Sequence, residues 1–407
     1  MAVLRAGRGS GLMRILNCLY YYRPHYSGLT VYTERLARAL AARGHVVTIL
    51  TSRYDPTLPP EETMDGVHVR RVPVALRVSK GPVMPGFLLA GWRSLRHQDL
   101  LHLHVPQLDA APLAWMARCL GKPVVMTYHC DLSLPTSPLN VLTNILSRWA
   151  NRLTLAAADV VVTNTQDYAE ASPLLANDLR KLVVIPPPIE VAPIRASAQE
   201  ALQARLGGPS RRPVIGMAAR LATEKGAEYL AQALPRILEH HPRAMVAYVG
   251  QHQQVMGEEA YRARLDPWLE ALKDHWHFLG VLPDSEMSSF YSLCDVTVLP
   301  SLNRTESFGM VQVESMLCGT PVVASDLPGV RQPVRSTGMG LLVEPRNALA
   351  LADAILEILS RPEAFRRGAE AAAREYSGEV TVSRYEALFV RLSAAHAGRR
   401  RGARSAA

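Results

Sequence analysis

The sequence predicts an α/β protein made of two doubly wound halves, each with a mostly parallel sheet. Three observations carry this expectation. Short apolar runs alternate with amphipathic helical patterns along the whole chain, which is the rhythm of βαβ units. The rhythm breaks once, at Pro186, Pro187, Pro188 and Pro193, which cannot continue a helix and favour an extended linker. Finally, 407 residues are more than one ordinary core organises, so two domains are expected.

In order along the first half, Met13–Leu19 reads as a strand, Leu29–Arg43 as an amphipathic helix and His45–Thr51 as a strand. Leu100–His104, Pro123–Thr127, Asp159–Thr163 and Leu182–Pro186 read as further strands, separated by helical stretches. After the prolines the pattern restarts. It runs through strands Pro213–Ala218, Ala244–Gly250, Trp276–Phe278, Asp295–Pro300 and Pro321–Ala324, with helices Glu224–Glu239, Met310–Leu317, Ala348–Leu359 and Val382–Leu392. The expected division is residues 13–188, residues 193–377 and a closing helix at 378–395, with basic disordered tails at 1–12 and 396–407. Open sheets of this kind bind ligands beyond the carboxyl ends of their strands, so two such ends facing each other would make an active site between the halves. No short-period repeat is visible, which excludes a solenoid.

Composition narrows the class. Apolar residues make up 48% and charged residues 20%, as in a soluble globular protein rather than a disordered one. The five cysteines (Cys18, Cys119, Cys130, Cys294 and Cys318) show no C-x-x-C spacing. Such a set argues against a disulfide framework or structural zinc and fits a reducing cytoplasm. No apolar run reaches the roughly 18–20 residues of a spanning helix. Arg5 and Arg8 precede an apolar run, Leu12–Leu19, that Arg14 and Asn17 interrupt, so the start reads as a short lead before a buried strand and not as a signal peptide. Met13 is an alternative start.

The net charge of +9 is concentrated in the first 190 residues and in the tails, which carry Arg399, Arg400, Arg401 and Arg404 at the far end. Two readings stay open: solubility of disordered ends, or attraction to anionic lipid or a phosphorylated acceptor. Nucleic acid is not expected, because basic and aromatic residues do not interleave.

The densest motif is L-P-S-L-N-R-T-E-S-F-G-M-V-Q-V-E-S-M-L-C-G-T-P, Leu299 to Pro321. A strand ends at Pro300, a loop carries Glu306, Gly309 opens a helix bearing Glu314, and Gly319 closes it. Backbone amides of Phe308, Gly309, Met310 and Val311 would lie unpaired at that helix start, a natural anion site. The two carboxylates, as acceptor-only groups, suit hydroxyl-rich ligands on either side of the anion.

A second motif, G-M-A-A-R-L-A-T-E-K-G at 216–226, places Arg220 and Lys225 between a strand and a helix, where a guanidinium and an ammonium can neutralise a diphosphate. In the first half, Y-Y-Y-R-P-H-Y-S-G-L-T-V-Y (20–32) turns through Ser27 and Gly28, where the absent side chain lets the backbone approach a phosphate or sugar. It is not a dinucleotide fingerprint. His129 and Asp131, in V-V-M-T-Y-H-C-D, lie just past a strand's carboxyl end. His102 and His104 alternate on a strand, available for packing, for lining an acceptor site, or for a metal that lacks an evident third ligand.

With these motifs in this order, the chain resembles the retaining glycosyltransferases of family 4, from about Met13 to Leu392. The resemblance implies the GT-B fold, two Rossmann-like domains facing across a cleft. It also implies transfer of a sugar from a nucleoside-diphosphate sugar to an acceptor with retained anomeric configuration. Glu306 would contact the donor sugar and Glu314 the ribose. Arg220 and Lys225 would bind the diphosphate with help from the Phe308–Val311 amides, Gly28 would abut the phosphates, and His129 would lie near the reacting carbon. Neither cofactor nor metal is implied. The acceptor domain would be 13–188, the donor domain 193–377, and the last helix would cross back to the first domain. A sugar-nucleotide epimerase of the same architecture, a sugar phosphorylase and a non-catalytic nucleotide-sugar-binding subunit are the alternatives.

The acceptor is open among lipid or polyprenol-linked molecules, another glycan and a small molecule. Arg70, Arg71, Arg77 and Lys80, then the apolar stretch Val83–Trp92, then Arg93 and Arg96, form a candidate seat on an anionic membrane's inner face. The competing reading is a loop and helix buried on the core.

Overall fold

The computed structural model describes residues 11–78, 81–132, 138–176, 178–210, 212–255 and 257–405. Arg5, Arg8, Lys80 and Met256 lie outside the described residues. The chain divides into two compact units, Met1–Pro188 with Gly378–Ala407, and Ile189–Ser377.

The first unit runs β1 (Arg14–Cys18), α1 (Gly28–Ala42), β2 (Val46–Arg53), β3 (Glu61–Met64), β4 (Val67–Pro73), β5 (Leu76–Val78), β6 (Gly81–Val83), α2 (Phe87–Leu95), β7 (Leu100–Val105) and α3 (Ala110–Cys119). It continues with β8 (Val124–Tyr128), α4 (Pro138–Ala157), β9 (Val160–Thr163), α5 (Gln166–Ala171) and β10 (Leu182–Val184). Its main sheet has the order β10-β9-β8-β7-β1-β2-β4-β3. Every pairing in it is parallel except β3 with β4.

The two-residue period of β7 sorts the layers. Leu101, Leu103 and Val105 pack with Phe87 of α2 and Leu113 and Ala114 of α3. His102 and His104 point to the opposite face. The second unit is followed by α15 (Gly378–Ser405), which returns to the first unit and packs on α1. Tyr385 of α15 meets Tyr32 of α1, oxygen to oxygen at 2.6 Å. Glu386 takes Arg43 at 2.6 Å and His45 at 3.1 Å, and Thr381 donates to the Pro186 carbonyl at 3.0 Å. The helix continues to Ser405 where the sequence predicts a disordered tail from residue 396. Alanine and arginine favour helix there, and His396 reaches Asp159 at 3.1 Å.

The predicted basic seat is corrected in part. Arg71 is buried in β4, 2.5 Å from Glu62, and also donates to the Arg23 carbonyl at 2.9 Å. Arg70 pairs with Glu61 at 3.2 Å, and Arg77 donates to the Tyr54 carbonyl. Met84 and Phe87 are core residues, whereas Leu89 and Trp92 face outward. The β3–β4 hairpin consumes the two arginines of β4.

The second unit runs α6 (Ala196–Arg205), β11 (Val214–Ala218), α7 (Ala227–His240), β12 (Met245–Val249), α8 (Glu259–Ala271), β13 (Trp276–Gly280), α9 (Asp284–Leu293), β14 (Val296–Leu299) and α10 (Met310–Leu317). β15 (Val322–Ser325), α11 (Gln332–Thr337), β16 (Gly340–Val343), α12 (Ala348–Ser360), α13 (Pro362–Arg366) and α14 (Ala369–Tyr376) complete it. Its sheet, in the order β13-β12-β11-β14-β15-β16, is parallel throughout. On one face Ile215, Met217, Val246 and Val298 pack with Leu230 and Leu234 of α7 and Ile355 of α12. On the other, Leu299 and Val322 pack with Val313 and Met316 of α10.

Candidate active site

Strands β11 and β14 are neighbours, yet β11 leads to α7 on one face of the sheet and β14 to α10 on the other. The loops diverge there, and a crevice opens at the carboxyl ends of the strands, the usual ligand position in such sheets. The loop after β11 carries Arg220 and Lys225, and the loop after β14 carries Glu306. Two contacts join the loops. The Leu302 amide donates to the Glu224 carbonyl at 2.9 Å, and Lys225 Nζ lies 2.6 Å from Glu306 Oε2. Arg220 is held by Glu224 at 2.9 Å. Both cations are partly exposed and each is oriented by a carboxylate, so their positions are set before any anion arrives.

Glycine makes the approach possible. Gly226, which caps α7, has φ +69°, and a Cβ there would stand 2.1 Å from the Pro300 carbonyl oxygen. Gly309, which caps α10, has φ +78°, and its Cβ would stand 2.2 Å from Leu299 Cδ2. Only a residue without a side chain adopts these conformations at these distances. Gly309 also brings no capping side chain, so the first amides of α10 lack an internal acceptor. Phe308 is buried, edge-on to Tyr376 at 5.6 Å, so it offers a ligand its backbone and not its ring. Met310 and Val311 begin the helix. Asn303 shapes the loop between by accepting from the Thr305 amide at 3.0 Å on its side chain.

Glu314 is buried within α10 and accepts from the Tyr291 hydroxyl of α9 at 2.9 Å. The two predicted glutamates thus differ. Glu306 sits with Lys225 at the mouth of the site, and Glu314 is anchored deeper by a tyrosine. A third carboxylate, Glu258, fixes the start of the 220s loop by accepting from the Thr223 amide at 3.0 Å and its hydroxyl at 2.8 Å.

In the first unit the corresponding divergence lies between β1 and β7, and the predicted residues border it. Gly28 is the exposed first residue of α1, after Ser27, whose hydroxyl accepts from the Thr30 amide at 3.2 Å. His129 follows β8. Its Nε2 is 2.9 Å from His104 Nδ1, and His104 Nε2 is 3.3 Å from Asn17 Oδ1. One proton is shared between His129 Nε2 and His104 Nδ1, and His104 Nδ1 also lies 3.4 Å from the Thr33 hydroxyl, so Asn17, Thr33 and the two imidazoles form one buried polar chain.

A second branch runs from His102 Nε2 to Thr127 at 2.7 Å, and from Thr127 to Tyr385 at 2.9 Å. Burial pushes the His102 and His129 imidazoles down to about 3, and burial with two neighbouring imidazoles holds His104 well below its usual range. All three are neutral at physiological pH. With His102 Nε2 and both nitrogens of His104 engaged in this way, the two histidines serve the network, and His102 Nδ1 is buried without a partner. Among the described residues, no three His, Cys, Asp or Glu side chains converge as metal ligands. Asp131 accepts from the hydroxyls of Tyr128 at 2.7 Å and Ser172 at 2.9 Å.

Sequence reasoning passed over Glu224, Tyr291 and Glu258. Glu224 was findable, four residues after Arg220 in the same motif. Tyr291 and Glu258 come from other elements, and no local spacing points to them.

Comparison with known proteins defines the class. Residues 198–375 match the family described as glycosyl transferases group 1, and residues 27–188 match the glycosyl transferase 4-like domain. A D-inositol 3-phosphate glycosyltransferase of Geodermatophilus obscurus is 31% identical, covering 89% of this chain and 84% of that one. A phosphatidyl-myo-inositol mannosyltransferase of Mycobacterium leprae is 28% identical, covering 89% and 92%. Among solved structures, Anabaena HepE in complex with UDP superposes with a TM-score of 0.73 at 21% identity, covering 92% of this chain and 98% of that one. The fold is that of the GT-B glycosyltransferases. The chain belongs to family 4 of that class, the group 1 glycosyl transferases, and is a glycosyltransferase.

Proposed function

We propose that the chain transfers a hexose from a nucleoside-diphosphate sugar to a hydroxyl of a polyhydroxylated ring, with retention of anomeric configuration and without a metal ion. The observation that carries the donor half is the Lys225–Glu306 bridge beside the amide end of α10, at the switch point of a parallel sheet. Arg220, Lys225 and the amides of Phe308–Val311 neutralise the diphosphate as it leaves, the charge role a metal would otherwise fill. Glu306 accepts from the sugar's hydroxyls and Glu314 from the ribose. In the first unit we assign Gly28 to the donor phosphates and neutral His129 to a hydrogen bond near the reacting carbon. A neutral imidazole with a pKa of about 3 acts there as a polar contact rather than as a proton shuttle.

For the acceptor, the relatives' names share a chemistry. D-inositol 3-phosphate, phosphatidyl-myo-inositol and, in a Streptomyces fradiae relative 30% identical to this chain, 2-deoxystreptamine are all six-membered carbocyclic polyols. We assign the acceptor to this cyclitol class, either free or lipid-borne, and the first unit to holding it. No helix among the described residues is long and apolar enough to cross a membrane. We place the protein in the cytoplasm with peripheral contact to the inner face of the membrane.

The test is a matrix of nucleotide-sugars against inositol phosphate, phosphatidylinositol and no acceptor, with and without chelator. The reading expects one donor to release nucleoside diphosphate in step with glycosylated cyclitol, unaffected by chelator, and the anomeric coupling of the product to match that of the donor. An inverted product or loss of activity on chelation overturns the corresponding part.

A further inference from the structure

Helix α4 carries an apolar outward face. The positions it turns inward are mixed: Ser147 (5% exposed), Asn151 (3%) and Thr154 (0%) beside the core residues Leu155 and Ala157. The positions it turns outward include Val141, Leu142, Ile145, Leu146, Trp149 and Leu153, with Leu142 53%, Trp149 58% and Leu153 50% exposed. A surface helix in water turns polar residues outward. So many large apolar side chains on one helix face mark a contact with something apolar.

The feature extends beyond α4. Helix α2 packs on α3, and α3 packs on α4, in one layer over the sheet. Each of the three helices exposes one tryptophan with an arginine beside its ring: Trp92 with Arg96 at 5.0 Å, Trp115 with Arg118 at 5.9 Å, and Trp149 with Arg152 at 5.7 Å. Arg93 and Arg148 add charge. None of the three helices contains an aspartate or glutamate.

We propose that the outward face of α4, continued by α3 and α2, is the docking surface for an anionic lipid bilayer. The inference deepens the membrane part of the reading above and is independent of the donor assignment. Tryptophan and basic side chains together are the composition of an interfacial helix: the rings and leucines enter the acyl boundary while the guanidiniums stay with the headgroup phosphates. Charge selects this occupant over a second copy of the chain. A two-fold contact would set the same acid-free arginine face against itself, whereas an anionic surface complements it.

Beneath α4, at the carboxyl end of β8, lies a pocket of mixed character, where Tyr128, Asp131, Arg148 and Asn151 meet Pro173 and Leu174. Asp131 Oδ2 and Asn151 Oδ1 are buried there without a partner. A lipid acceptor held at the membrane would have a charged, hydrogen-bonding recess for its headgroup directly under the docking helix.

The test is flotation of the full chain with vesicles of equimolar phosphatidylglycerol and phosphatidylcholine, and with vesicles of phosphatidylcholine alone. The wild type floats with the anionic vesicles only, and added salt releases it. The double variant Leu146→Glu/Trp149→Glu, outside the pocket, reduces the floating fraction by about tenfold. Its thermal melt and its turnover of donor with a soluble acceptor stay at wild-type values. Failure of the wild type to float, or flotation of the variant at the wild-type level, overturns the proposal. So does a wild-type dimer that the variant dissociates without any vesicle binding. Loss of donor turnover in both proteins would count against the transferase reading and leave the flotation result standing.

Discussion

Lys225 Nζ lies 2.6 Å from Glu306 Oε2, joining the loop after β11 to the loop after β14. The pair holds an ammonium where a diphosphate would depart and a carboxylate where sugar hydroxyls would lie. Partly exposed pairs contribute only about 0–1 kcal/mol to stability, so the pair serves the site more than the fold. Lys225→Met is expected to lower kcat by about a hundredfold to a thousandfold, on the scale of losing one charge-stabilising group. Steady-state kinetics alongside a thermal melt checks this. Near-normal turnover contradicts the role, and a collapsed melt would place the pair in the fold instead.

Glu314 is anchored by Tyr291 at 2.9 Å. Tyr291→Phe removes that hydroxyl and nothing else. The carboxylate then loses that anchor at the position proposed for ribose, and the donor KM rises by about tenfold while kcat stays within about twofold. Equal losses in kcat and kcat/KM would show that Glu314 acts on the reacting end of the donor.

Gly309 and Gly319 flank α10 and separate two effects of a side chain. Both have positive φ, +78° and +81°, but a Cβ meets Leu299 at 2.2 Å in the first and nothing within 4 Å in the second. Gly319→Ala should cost about 1 kcal/mol through backbone conformation alone. Gly309→Ala adds the collision and shifts the amides at the helix start, so it should cost about 1–2 kcal/mol more and lower activity as well. Urea denaturation and donor turnover on both variants make the comparison.

Acid should weaken the first unit through its histidines. His102 and His129 stand at about 3 in the folded protein against the ordinary 6.5. Above 6.5 neither the folded nor the unfolded chain gains a proton and the full stability is present. Between 6.5 and 3 only the unfolded chain takes up protons, so stability falls as pH falls, by up to about 1.4 kcal/mol per pH unit for each group. Asp109, raised to about 6 by burial, acts in the opposite sense below neutrality, so the histidine contribution is read as a difference. His102→Gln should flatten the decline relative to wild type, and an unchanged slope would contradict the linkage.

Much of this molecule is legible in sequence because its parallel strands, buried on both faces, announce themselves as short apolar runs. The motif from Leu299 to Pro321 is legible for a related reason. Its strand end, positive-φ glycine and helix occur in one continuous stretch. The β3–β4 hairpin was missed although Asp65 and Gly66, both with positive φ, are a recognised turn signal between them. Arg71 looked available for lipid because, with that hairpin unread, Glu62 was not seen beside it. Separation in sequence hid Tyr291 from Glu314 and concealed that His129 and His104, 25 residues apart, touch. The apolar outward face of α4 needed the fold, since its period alone does not say which face is inside.

The central claim is that the second unit binds and cleaves a nucleotide-sugar for transfer. Phosphorus NMR of the wild-type protein with a nucleotide-sugar panel and a cyclitol acceptor tests it most directly. The account predicts acceptor-dependent release of nucleoside diphosphate from one donor, lost in Lys225→Met. Conversion of the donor into an isomeric nucleotide-sugar, or no consumption of any donor by a folded protein, would contradict it.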